Sequence, residues 1–97
     1  MQTINTTFGE ARIETTKYQL GGLAVFLIDN HNGEPIATLS TCIPDHVHKL
    51  EEGEFFVKNW SENETLAQEA FESGLFIDTG KSAATGYVVA PVWKFKD

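Results

Sequence analysis

The residues best suited to chemistry lie close together: Cys42, His46 and His48, in the run Cys42-Ile43-Pro44-Asp45-His46-Val47-His48. A His-x-His pair on a strand would put both imidazoles on one face, and a thiolate could supply a third zinc ligand. A closed structural site needs four ligands, and no second pair of suitable spacing occurs elsewhere in the chain. Pro44 also places the segment beyond the end of a strand, because proline cannot donate to a ladder. The reading is a polar loop over 45–53 carrying two ordinary histidines, with no metal and no cofactor. A Cys42 nucleophile with a histidine base lacks an acidic residue spaced to orient it. A small thiol at the end of an apolar strand is instead an ordinary core residue.

Gly80-Lys81-Ser82 resembles the close of a phosphate-binding loop. The full motif requires glycine five positions before the Gly-Lys pair, and that position holds Leu75. The segment also follows a helix instead of preceding one. Glu51, Glu52 and Glu54 crowd a charged turn where nothing would desolvate one carboxyl and raise its pKa for acid catalysis. No catalytic residue is assigned, and the chain is read as a binding protein.

Charge placement points the same way. The net charge is −7, and between Glu51 and Glu72 lie seven acids and one base, a local balance of −6. Phosphate contacts need Lys and Arg to displace counterions, so direct nucleic-acid binding is disfavoured. An acidic face would instead attract a protein with a basic surface. Candidate binding residues are Glu62, Glu64, Glu69 and Glu72, with Trp60 as an aromatic anchor beside them. The alternative is a homodimer that pairs through Tyr87, Val89, Trp93 and Phe95 on the last strand.

These residues need a scaffold, and hydrophobic periodicity supplies one. Residues 2–8 and 10–18 alternate as strands turned near Gly9, and Leu23 to Ile28 is continuously apolar, as in a strand covered on both faces. Asn32-Gly33 turns that strand into a return strand from Ile36 to Ile43. Glu54 to Trp60 is the next strand, with Phe55 and Val57 opposite Phe56 and Trp60. Ser61-Glu62-Asn63-Glu64 has the form of a capping box, with Trp60 as a hydrophobic staple before it. It opens a helix over about 62–73 whose apolar stripe is Leu66, Ala67, Ala70 and Phe71, and whose Gln68, Glu69 and Glu72 face water. Gly74 is the expected residue after the helix. A short extended piece from Leu75 to Asp78 enters a turn at Thr79–Ser82. The last strand runs from Gly86 to Phe95, where Pro91 implies an edge or a bulge.

The sum is one α+β domain over 1–97: a mostly antiparallel β-sheet of about five strands with one α-helix packed on one face. A single cysteine excludes an internal disulfide and favours a reducing compartment. No run approaches the ~18 apolar residues of a membrane span, and the N-terminus lacks the pattern of a signal peptide. A cytoplasmic location is expected.

Gly53-Glu54-Phe55-Phe56-Val57-Lys58-Asn59-Trp60-Ser61-Glu62-Asn63-Glu64 and Ser73-Gly74-Leu75-Phe76 resemble a small bacterial family of unknown function carried on plasmids and phages. Asp78-Thr79-Gly80, Thr85-Gly86-Tyr87-Val88 and Ala90-Pro91-Val92-Trp93 extend the likeness, which covers roughly residues 20–97. The resemblance implies a cytoplasmic accessory protein of a mobile element. Proteins of that kind block host defences, as anti-CRISPR inhibitors do, so an inhibitor of a host defence or nucleic-acid-processing complex is expected.

Overall fold

A computed structural model describes residues 3–96 of the chain. Eight strands form two four-stranded antiparallel sheets, rather than the five or so expected in one. The first sheet has the order β1 (Thr3–Thr6), β2 (Gly9–Lys17), β3 (Leu23–Asp29), β4 (Pro35–Thr38). The second holds β5 (Ser40–Thr41), β6 (Glu54–Val57), β8 (Val88–Phe95) and β7 (Phe76–Thr85), in that order across the sheet. One helix, α1 (Glu64–Glu72), completes the α+β fold.

The expected return strand 36–43 is split in two, and Leu39 is the point of division. Its amide donates to the Val25 carbonyl of β3, and its own carbonyl accepts from the Lys58 amide after β6. The chain therefore leaves one sheet and enters the other within a single residue, and the Leu39 side chain is fully buried at the junction. Only a through-space partner on β6 could draw Ser40 and Thr41 away from β3, so the split has no local signature. The turn before β4 is longer than an Asn-Gly pair alone. Asp29 Oδ1 accepts from the His31 and Asn32 amides, and the Asp29 amide pairs with the Glu34 carbonyl.

Alternation along β6 gives the second sheet two apolar faces. Phe55 and Val57 join Ile4, Ala11, Val25, Leu27, Leu39, Leu66, Ala67, Ala70, Phe76 and Trp93 in the main core. Phe56 points the other way, into a smaller cluster with Ile43, Ala83, Ala90 and Val92, against which Leu50 and Trp60 pack. The opposition of Phe55 and Val57 to Phe56 is thus as the residue pattern predicts, but the strand ends at Val57, and Trp60 reaches the Phe56 cluster from beyond it. Residues 45–53 are not all loop, since Pro44–Lys49 forms a 3-10 helix. Strand β7 runs straight through Thr79–Ser82, which is a bulge and not a turn. Gly80 sits there at φ 85°, a region open mainly to glycine, while Asp78 Oδ1 accepts from its amide. Pro91 lies opposite Ser82 at that bulge, on an interior strand but beyond the end of the β6 ladder at Val92, so no hydrogen bond to β6 is forfeited.

Candidate functional site

The helix that carries most of the candidate acids begins differently from the sequence expectation. Ser61–Asn63 is a 3-10 turn, and α1 starts at Glu64. The capping box does not form: no side-chain cap bond is made at either helix start. Ser61 instead adopts φ 55°, a left-handed backbone that costs a non-glycine residue energy. Asn63 does the anchoring. It is buried, and its Nδ2 donates to the carbonyls of Thr38 at 2.7 Å and Lys58 at 3.2 Å. One side chain thereby ties the start of α1 to the ends of both β4 and β6. The helix ends as expected, with Gly74 at φ 81° and its amide donating to the Phe71 carbonyl.

This placement separates the five candidate residues. Trp60 is half-buried against the second apolar cluster, on the side away from Leu66, so it does not act as a staple for the helix. Glu62 pairs with Lys58 at 3.4 Å; its own backbone amide, then Lys58, holds its carboxyl below the usual range. Glu69 does not simply face water. Its two carboxylate oxygens accept from the Thr7 amide at 3.0 Å and the Thr7 hydroxyl at 2.9 Å, stapling α1 to the β1–β2 turn. Glu64 and Glu72 are exposed, and neither has a basic side chain within salt-bridge distance among the described residues.

Glu64 and Glu72 belong together for a geometrical reason. With Gln68 they occupy positions i, i+4 and i+8, a single ridge along the helix, and Gln68 Nε2 reaches Glu72 Oε2 at 3.4 Å. Beside this ridge runs a groove of about 370 Å³, lined by Asn59, Ala67, Phe71 and Trp93 together with the three ridge residues. Its floor is aromatic: the rings of Phe71 and Trp93 lie 5.0 Å apart, centroid to centroid. Trp93 is only 6% exposed, whereas Phe71, expected in the apolar stripe facing the core, is 44% exposed. Trp93 is held from behind by Phe55 and Phe76, so the floor is rigid while Phe71 offers its surface to solvent. Asn59 and Phe71 have no signal as binding residues in the sequence, since each looks like loop or core; Trp93, expected on a dimer face with Tyr87 and Val89, is instead buried in the main core, with Phe95 packed against it.

Other polar clusters are structural. Glu54, 6% exposed, accepts from Lys81 Nζ at 2.6 Å and from the Glu51 amide at 3.0 Å. Burial alone would raise the Glu54 carboxyl, but the Glu51 amide and the Lys81 ammonium outweigh it and hold it below the usual range. The same ammonium donates to the Lys49 carbonyl, so the 44–53 segment is latched to the β7 bulge. No group of three or more His, Cys, Asp or Glu able to hold a metal occurs among the described residues. The His46 and His48 rings are 6.3 Å apart, and Cys42 is partly buried and free. No helix among the described residues is long and apolar enough to cross a membrane.

No protein-family model, curated protein or solved structure matches the chain.

Proposed function

We propose that this chain is a protein-binding module whose α1 face engages a basic surface on another protein. The observation that carries the reading is the groove. An aromatic floor, partly open at Phe71, lies beneath two carboxylates, Glu64 and Glu72, that no basic side chain among the described residues neutralises. Aromatic anchors flanked by charge are the usual composition of an energetic centre in a protein interface. Uncompensated acids add steering toward a basic partner. The family resemblance supplies the setting: a plasmid or phage accessory protein that inhibits a host defence or nucleic-acid-processing complex by occupying a basic surface.

The test has two parts. Expression in bacteria that restrict a phage by CRISPR or restriction should raise plaque counts, and Glu64→Lys/Glu72→Lys should abolish the rise. The purified partner should also bind at least about tenfold more weakly when salt is raised past the point where surface charges are screened. An affinity flat with salt, or protection unchanged by the charge reversal, removes the acidic face from the mechanism.

One observation favours a second reading, a homodimer. Residues 82–93 carry no charge in a chain of net −7, and Tyr87 and Val89 stand exposed along that hairpin arm. A second copy could approach there without bringing acids together. Light scattering decides: a monomer at high micromolar concentration eliminates it.

A further inference from the structure

Resting on the acidic-face reading, the geometry points to a specific occupant for the α1 groove. We propose that it takes an extended peptide segment with two arginines four residues apart and a small apolar residue midway between them. The spacing follows from the helix. Glu64 and Glu72 are eight residues apart, about 12 Å along the axis at 1.5 Å per residue, which matches about 13 Å for four residues of extended chain. In an extended segment residues i, i+2 and i+4 point to one side, so all three meet the groove while the residues between face water.

Each position has a counterpart. At the Glu72 end an arginine lies over the exposed ring of Phe71, where a planar guanidinium can stack and still reach the carboxylate. At the Glu64 end the second arginine finds a carboxylate and, across the groove, the side chain of Asn59. Between them the helix presents Ala67, which is buried and small, and the floor is Trp93. A bulky side chain at Ala67 would fill the groove, and a lysine or arginine at position 68 would neutralise the ridge; the chain has alanine and glutamine there. Nearby acids are less available: Glu51 and Glu54 already share Lys81, Glu62 already pairs with Lys58, and Glu69 already accepts from Thr7.

The experiment is fluorescence anisotropy of a labelled peptide centred on Arg-Ser-Val-Ser-Arg, titrated with the intact protein. Comparison peptides place the arginines two apart or replace both with citrulline, which keeps shape and loses charge. The spaced peptide should bind about tenfold more tightly than the citrulline peptide, and more tightly than the close-spaced one. Glu64→Gln/Glu72→Gln should remove most of that difference while leaving the melting midpoint in place. Phe71→Leu, which keeps an apolar contact against Trp93, should weaken binding by about threefold to fivefold through the lost cation–ring attraction. If the arginine peptide binds in a salt-sensitive way but equally well to the double glutamine variant, the groove assignment falls while the broader acidic-face reading survives. If the citrulline peptide binds as tightly as the arginine peptide and salt has no effect, both fall.

Discussion

Replacing Asn63 with alanine should destabilise the protein far more than replacing Ser61, the reverse of what the Ser-x-x-Glu pattern implies. The Asn63 amide nitrogen serves two carbonyls, of Thr38 and Lys58, from a side chain that is almost fully buried. Each such bond contributes about 0.5–1.5 kcal/mol net. Both are lost at once, so the expected loss is about 1–3 kcal/mol. At about 4–8 °C per kcal/mol for a domain of this size, the melting midpoint should fall by roughly 5–25 °C. Ser61→Ala removes a hydroxyl that caps nothing and should cost less than about 0.5 kcal/mol. Urea titration of both variants measures the difference, with an unchanged slope showing that the denatured state is not altered. Asn63→Asp gives a sharper version, since a carboxylate facing two carbonyls must repel them, and protonation in acid should restore part of the stability. The consequence reaches the binding site, because Asn63 fixes α1 against the strand end that carries Asn59. Groove binding should weaken in Asn63→Ala even at temperatures where the variant is fully folded. If Ser61→Ala proves the more costly, or Asn63→Ala lies within about 0.5 kcal/mol of the parent, the anchoring argument is wrong.

Glu69→Ala should cost about 1–2 kcal/mol by releasing the Thr7 amide and hydroxyl, whereas Glu72→Ala should be close to neutral; paired thermal melts compare them. Ser61→Gly should hold or raise stability, because glycine relieves the left-handed strain at φ 55° at some cost in chain entropy, while Ser61→Val should lower it markedly. The Glu54–Lys81 latch should leave a pH signature. The folded Glu54 carboxyl lies below its ordinary 4.5, so its stabilisation is complete above that value and is lost as pH falls through the folded pKa. Lys81, raised above 10.5 first by its hydrogen bond to Glu54, contributes fully below 10.5 and loses that contribution as pH rises through its folded pKa. Melts of Lys81→Met across the acid and alkaline limbs should show both dependences flattened; a profile parallel to the parent would refute the latch.

Much of the scaffold is legible from local pattern. The apolar run at Leu23–Ile28, the alternation from Phe55 to Val57, the helical spacing of Leu66, Ala67 and Ala70, and Gly74 after the helix each depend on backbone geometry within a few residues. Such geometry repeats with a fixed period, so residue type alone reports it. The division of one expected strand at Leu39 is different, because it depends on whether Val25 or Lys58 supplies the next hydrogen-bond partner, residues 14 and 19 positions away. The same reason hides the roles of Asn63 and Glu69. A capping box is a local motif, but the carbonyls of Thr38 and Lys58 draw in the Asn63 side chain at the same turn and win, and Glu69 looks solvated until Thr7 is brought 62 positions across the chain to meet it. The acids were visible as charge. That Glu64 and Glu72 overlook Phe71 and Trp93, one from the helix and one from the last strand, was decided only when the second sheet closed beneath α1, which keeps Trp93 in the core and leaves Phe71 exposed beside it.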